Sequence, residues 1–327
     1  MFRPPSTRIV LTAALLIVVC TSAYAQRITG PALSLSIATD KAQYELGEPV
    51  YLRLQLRNSS GDPVHPLAAL DPKYSETAVI ISGGGGSPKV FTPLTLVETR
   101  ESPSAVPPHG EVVVITPIFF GADGWTFRHA GDFTVIATWK NSAPEPEISS
   151  NPVRIRIGLG TEAGTRLVSN DEASMEAGKF LVWQSGDHLT SGRALLANIV
   201  QGAPGSAVAQ HARLAEASNL NREFMDFTAG RIRPAEHGRA LVLLSDVNDA
   251  MLPSHLILRK NLAQAASEIH LGNWDAAALL LARAQSRLDR SKGLDQLLPS
   301  LHQLDRLMIA SPEGLMARMK IQQQRCC

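Results

Sequence analysis

The most constraining feature of the sequence is a strict alternation of apolar and polar side chains near its start. In the stretch YELGEPVYLRLQLRNSSG, residues 44–61, aliphatic side chains stand at every second position: Val50, Leu52, Leu54 and Leu56. The positions between them hold polar or amphipathic residues: Tyr51, Arg53, Gln55 and Arg57. Because successive side chains of a strand point to opposite faces, this pattern predicts a strand with one face in a core and the other in water.

The same alternation recurs along the first half of the chain. It is found in LSLSIA, AVIIS, KVFTPLTLV, EVVVITPIFF, DFTVIATWK and PVRIRIG, with turn residues between the segments. In the last two segments the inward set is expected to be Phe133, Val135, Ala137, Trp139, Val153, Ile155 and Ile157. About seven strands at this spacing are typical of an antiparallel sandwich.

Three motifs carry a resemblance to a known family: YELGEPVYLRLQLRN, RHAGDFTVIATWK and ISSNPVRIRI. This part of the chain, about residues 32–158, resembles the immunoglobulin-like modules of bacterial secreted proteins and the similar macroglobulin-type sandwiches. The resemblance implies an immunoglobulin-like β-sandwich. Phe133 stands where many of these modules place a tyrosine, so the hydrogen bond of that tyrosine is expected to be absent. The fold hosts binding, inhibitory and structural roles, and therefore implies no activity.

After residue 160 the pattern changes to helices. Ser169 and Glu172 have the spacing of a capping box, which predicts a helix start there. The segment HLGNWDAAALLLARAQSRLD resembles helix B of a tetratricopeptide repeat at five positions: Gly272, Trp274, Ala277, Leu281 and Ala284. The resemblance implies that Trp274 is buried between helices. A second segment, SGDHLTSGRALLANIVQGAPGS, fits less well, because Gly192 stands where the small packing residue belongs.

The predicted fold class is therefore multidomain β + α. It consists of an antiparallel immunoglobulin-like β-sandwich followed by an all-α, tetratricopeptide-like helical-hairpin domain. The predicted boundaries are a signal peptide at 1–25, the sandwich at 26–159 and the helical domain at 160–327. Each domain is expected to bury a core of its own.

The first residues have the form of a secretory signal peptide. Two arginines in MFRPPSTR precede a short apolar run, and TSAYAQ supplies a cleavage site between Ala25 and Gln26. A membrane anchor and a lipidated Cys20 are the alternatives. Cleavage removes Arg3 and Arg8, which changes the formal charge from +1 to −1. This near balance argues against nucleic acid as a partner. We expect a secreted protein of the bacterial periplasm or the extracellular space, with no membrane span after cleavage.

Cysteine usage excludes an internal disulfide framework. The predicted mature chain keeps only Cys326 and Cys327, which are adjacent. They are either a frayed tail with free thiols or the source of an intermolecular disulfide.

No catalytic, metal or cofactor motif is found, so no cofactor is expected. The sequence contains neither H-E-x-x-H nor G-x-S-x-G. The glycine-rich stretch SGGGGSPK leads into a strand rather than a helix, which favours a hairpin loop over a phosphate-binding loop. Asp187 beside His188 is interpreted as a helix N-cap followed by a first-turn residue.

Two groups are candidate partner contacts. Trp125, Phe127, His129 and Asp123, in FFGADGWTFRHAG, could form an aromatic contact patch at one end of the sandwich. The alternative is that the two aromatic rings lie under the loop. A second group lies near Glu236 and is either a contact for an acidic partner or a solvated helix start: Arg231, Arg233 and Arg239.

The sequence favours an exported, non-enzymatic binding or assembly protein of the cell envelope, with protein as the partner. One alternative is an exported hydrolase with its site at the domain junction, which requires a carboxylate and a histidine within hydrogen-bond reach in a cleft. Another is a protease inhibitor that uses the loop RESPSAVPPHG, residues 100–110.

Overall fold

The computed structural model describes residues 33–95, 105–141, 146–159, 161–169, 171–226, 230–290, 294 and 297–326. The predicted signal peptide, Cys327 and the first half of the loop RESPSAVPPHG lie outside these residues. The predictions made for them stay predictions.

The first part of the described chain is built of strands, as predicted. The strands are β1 (Leu33–Thr39), β2 (Gln43–Tyr44), β3 (Tyr51–Asn58), β4 (Thr77–Gly83), β5 (Gly86–Phe91), β6 (Glu111–Pro117), β7 (Phe120–Gly121), β8 (Gly124–Trp125), β9 (Gly131–Trp139), β10 (Ile148–Ser149) and β11 (Val153–Ile157). One sheet has the order β1-β3-β6. A larger sheet has the order β2-β11-β9-β4-β5, with β10 paired to β9. The two sheets pair their strands antiparallel except for β2 and β11.

The alternation in β3 and β9 places the expected side chains in the core. Leu52 and Leu54 are fully buried, as are Val135 and Ala137 on the opposite sheet, and all belong to one hydrophobic cluster. The other face of β3 is less exposed than expected. Tyr51 is half-buried there, because helices pack over this face of the sheet.

The second part of the described chain is helical. The helices are α1 (Glu162–Leu167), α2 (Glu172–Trp183), α3 (Thr190–Gly202), α4 (Ala207–Leu220), α5 (His237–Ser245), α6 (Ser254–His270), α7 (Trp274–Arg290), α8 (Leu298–Ile309) and α9 (Pro312–Cys326). A short hairpin that the sequence did not predict, β12 (Phe224–Asp226) and β13 (Arg231–Arg233), separates α4 from α5. The order of β elements followed by α elements confirms the coarse fold class.

The start of α2 corrects the predicted cap. Asp171, not Ser169, is the N-cap, and its carboxylate accepts a hydrogen bond from the Ser174 backbone N–H at 2.8 Å. Ser169 instead donates its hydroxyl to the same carboxylate at 2.7 Å. An ionised carboxylate near the positive end of the helix dipole is the stronger acceptor of the two.

The strands and the first four helices share one core, which corrects the expectation of separate cores. A single hydrophobic cluster extends from Leu33 in β1 to Ala215 in α4. The Trp125 indole N–H donates to the Ser174 carbonyl in α2 at 3.1 Å. The described residues from Leu33 onward belong to one compact unit. The strand β11 ends at Ile157 and α1 begins at Glu162, and a domain boundary between residues 159 and 160 stays a prediction.

Helices α6 and α7 form the hairpin in which the repeat-like motif lies. Gly272 in the turn has φ +77°, a conformation that favours glycine. Ala277, Leu281 and Ala284 are fully buried in the cluster that joins α6 to α9. Trp274 is only half-buried, which corrects the expected full burial, because one side of its ring borders a groove beside α9.

Candidate functional site

Two loops singled out in the sequence meet around one cavity at the end of the β region. The cavity has a volume of about 440 Å³ and lies between the glycine-rich β4–β5 turn and the loop from β7 to β9. A volume of this size is in the range of small-molecule sites, about 300–1,000 Å³. No sequence signal indicates that the two loops meet, because they are some 40 residues apart and pairing of the strands brings them together.

The aromatic residues of the second loop are structural. Trp125 and Phe127 are each only 4% exposed, so their rings are not available as a surface patch, in agreement with the alternative interpretation. Phe127 packs edge-on against Phe133, with the ring centroids 5.1 Å apart. Of this predicted group, His129 and Asp123 are exposed, and both line the cavity beside Arg128.

The arginine group around Glu236 is held by ion pairs. Arg233, on β13, donates to the carboxylate of Asp187 and to the Asn219 backbone carbonyl, the latter at 2.9 Å. Arg239 and Arg233 both lie within ion-pair distance of Glu236. Arg231 is largely exposed and lies 3.9 Å from the Asp226 carboxylate. The hairpin is therefore fastened to the helices by Arg233, and a partner could reach only the two outer arginines.

Asp187 is an ion-pair acceptor and not the predicted N-cap, since α3 begins after Leu189. Partial burial alone would raise the pKa of Asp187. The hydrogen bonds from Arg233 and Asn219 outweigh burial and lower the pKa below its ordinary value. Arg193 adds a further ion pair at 3.5 Å. An acid so strongly held in its ionised form cannot serve as a proton donor near neutral pH.

Two histidines lie where the helices cover β3. His211 of α4 stacks on the Tyr51 ring at a centroid distance of 6.0 Å, and His255 of α6 meets the same ring edge-on at 4.6 Å. Burial lowers the pKa of each histidine to about 3, so both are neutral. His255 Nε2 is buried without a hydrogen-bond partner. Neither ring is hydrogen-bonded to a carboxylate of the described residues, so neither histidine belongs to the pair that the hydrolase alternative requires.

A larger groove runs along α9. Its volume is about 1,120 Å³, and it is lined by the α6–α7 turn, the first turn of α7 and one face of α9. Trp274 forms part of one wall. Gly314 allows the start of α9 to lie close to α8 and to Trp274, since a Cβ atom there would be 2.1 Å from the Met308 carbonyl oxygen and 3.0 Å from the Trp274 ring. On the α9 side, Met316 is 66% exposed and Met319 is 47% exposed.

Two kinds of feature are not found among the described residues. Nowhere in the described ranges do three or more histidine, cysteine, aspartate or glutamate side chains group as metal ligands would. A membrane-spanning helix is likewise not found there, because no described helix is both long and apolar enough.

Comparison with known proteins gives no family. No family model matches the chain, and no curated protein matches it. The CARDB domain of a Pyrococcus furiosus protein is similar with 14% identity over 39% of this chain and 95% of that domain, at a TM-score of 0.23. The sporulation control protein from Bacillus subtilis is similar with 10% identity over 47% of this chain and 54% of its own, also at 0.23. Likenesses of this size carry no argument about function.

Proposed function

We propose that the protein is an exported, non-enzymatic binding or assembly protein of the bacterial cell envelope. In this proposal an immunoglobulin-like sandwich supports tetratricopeptide-like hairpins, and the hairpins bind a protein partner in the groove beside α9. The signal-peptide pattern supports export. The observation that carries the proposal is the exposed apolar side of this groove.

Exposed methionines support a protein-binding role for the groove. Met316 and Met319 lie one turn apart on α9 and both line the groove. Methionine side chains are flexible and polarizable, and they are common on surfaces that adapt to a partner. Contiguous apolar surface that remains exposed in a folded protein commonly marks an interaction site.

Charge and length indicate the form of the partner. Three carboxylates line the groove, those of Glu268, Asp275 and Glu313, against one cation, Lys320. A partner with basic residues beside its apolar face would complement this excess of negative charge. The 15 residues of α9 extend about 22 Å. We therefore propose an amphipathic helix of about four turns with lysine or arginine along its edges.

The test uses the full mature chain expressed in its own envelope, with a photo-crosslinking residue at Gln323, an exposed position in the groove. We expect one crosslinked protein, with the crosslink mapped to a basic amphipathic helix. Met316→Asp should abolish the crosslink. The matched control is Val242→Asp, which places the same charge at an exposed apolar position of α5 outside the groove and should leave the crosslink intact.

A crosslink that persists in Met316→Asp would show that the groove is not the contact. A crosslink only to a second copy of this chain would refute a separate partner. Turnover of a hydrolase substrate by the purified chain, lost on a single histidine or aspartate substitution, would refute the non-enzymatic part.

A further inference from the structure

We propose that the cavity at the end of the β region binds a small organic anion, a carboxylate carried on an apolar body. This site is distinct from the groove beside α9 and does not depend on a protein partner. Two loops form its walls, and aromatic side chains of the sheet form its floor.

The basic side chains on the rim would bind the carboxylate head group of the ligand. The Arg128 side chain is aimed by two backbone carbonyls, from Nε to Trp125 O at 3.2 Å and from Nη2 to Asp123 O at 3.2 Å. A guanidinium has five N–H donors, so this arrangement orients the group and leaves donors for a ligand. Lys89 lines the opposite wall, and among the described residues no carboxylate pairs with it or with Arg128.

The rim also contains an acid and a histidine. The Asp123 carboxylate lines the cavity near Arg128, and His129 lies beside it. Lys89 and Arg128 together outnumber the single carboxylate, so the lining carries a formal charge of +1 with His129 neutral. A planar carboxylate matches the forked donors of Arg128. A cationic ligand would instead be repelled by Lys89 and Arg128.

The floor would hold the apolar body. The Phe91 and Phe133 rings line the cavity there. Gly84 lies directly against Phe133, since a Cβ atom there would be 3.0 Å from two ring carbons, and its φ of +61° also favours glycine. The glycines thus allow the turn to lie close to the aromatic floor.

The walls are fixed before any ligand arrives. The Ala122 backbone N–H donates to Thr92 O at 2.9 Å, which joins the two walls. The Trp125 indole, bonded to α2, holds the second loop from beneath. A site formed in advance loses less entropy when it binds a ligand.

The experiment measures binding of three probes with one apolar body and different head groups to the full chain at low salt: phenylbutyrate, phenylbutanol and phenylbutylamine. Isothermal titration calorimetry measures the affinity, and changes in amide chemical shifts locate the bound probe. We expect phenylbutyrate to bind about tenfold more tightly than phenylbutanol, because one charge-assisted contact distinguishes them. Phenylbutylamine should bind most weakly.

Arg128→Gln should remove the preference for the acid and leave phenylbutanol unchanged. The matched control is Arg57→Gln, the same substitution at an exposed arginine of β3 that does not line the cavity. Because Arg128 also forms hydrogen bonds within its own loop, Lys89→Gln provides a second variant. The Lys89 side chain is exposed, and its replacement should lower the affinity for phenylbutyrate only. Thermal melting of each variant shows that it is folded.

Equal affinity for the three probes would overturn the proposal, and so would the absence of binding at millimolar concentration. An equal loss of affinity in Arg57→Gln would mean general charge attraction rather than a site. Inorganic phosphate that binds as tightly as phenylbutyrate would show that the apolar floor takes no part. Loss of the protein partner in Met316→Asp has no bearing on any of these outcomes.

Discussion

Gly178 is the position where one methyl group should test the shared core most directly. It lies in α2 against the Phe120 ring of β7. An added Cβ would be 2.1 Å from Phe120 Cδ2 and 2.2 Å from Cε2. Carbon atoms in contact are normally about 3.5–4.0 Å apart, so the ring or the helix must move by more than an ångström.

The Phe120 ring and α2 have little room to move apart. Phe120 is buried and meets Trp125 edge-on, with the ring centroids 5.5 Å apart. Overpacking of this kind costs about 1–3 kcal/mol. Alanine recovers up to about 1 kcal/mol through its better helix propensity. With that gain subtracted in full, we expect Gly178→Ala to lower the free energy of unfolding by up to about 2 kcal/mol.

The assay is urea unfolding followed by far-ultraviolet circular dichroism and by tryptophan fluorescence. The matched control is Gly238→Ala in α5, where a Cβ would meet nothing within 4 Å and should be neutral or slightly stabilising. In a Phe120→Ala background the cost of Gly178→Ala should disappear, since the two side chains then no longer compete for space. Gly178→Ala that is as stable as the Gly238→Ala control would refute the close contact between strand and helix.

Three further predictions concern stability. His211 and His255 have pKa values of about 3 in the folded state, below the unfolded value of about 6.5. The unfolded chain therefore takes up protons first, and stability should be lost as pH falls from about 6.5 toward 3, by up to about 2.7 kcal/mol per pH unit for the pair. Urea midpoints between neutral pH and pH 5 check this, and His255→Phe should halve the slope; a flat profile would contradict it. Asp187→Asn should cost about 1–3 kcal/mol, measured by the same unfolding, because Arg233 loses its charged acceptor. If the variant has the same urea midpoint as the parent, the ion pair contributes nothing to the free energy of unfolding. Trp274→Ala should cost about 1–3 kcal/mol, less than for a fully buried tryptophan, and a thermal melt within 2 °C of the parent would show that the ring does not contribute to packing.

The predictable part of the fold was set by local pattern, and the unpredictable part by tertiary packing. The alternation from Val50 to Leu56 predicted a strand and its buried face, because the period of two is a property of the strand itself. The same pattern placed Tyr51 in water, since no local signal shows that α4 and α6 cover that face.

The candidate sites divide in the same way. The turn role of the glycine-rich stretch could be predicted from its flanking strand, but its meeting with Arg128 could not. Asp187 next to His188 was interpreted as a helix cap because a short motif contains only residues that are neighbours in the sequence. The partners that decide its role, Arg233 and Asn219, are more than 30 residues away.

The contact between Phe120 and Gly178 also has a consequence during synthesis. At about 5–20 residues per second, Phe120 emerges from the ribosome some 3–12 s before Gly178 does. The parallel pair of β2 and β11 likewise joins residue 43 to residue 156, so the larger sheet closes late. Until then the Phe120 and Trp125 rings have no helix to cover them. The nascent chain therefore leaves these two aromatic side chains without their helix contacts until α2 is made.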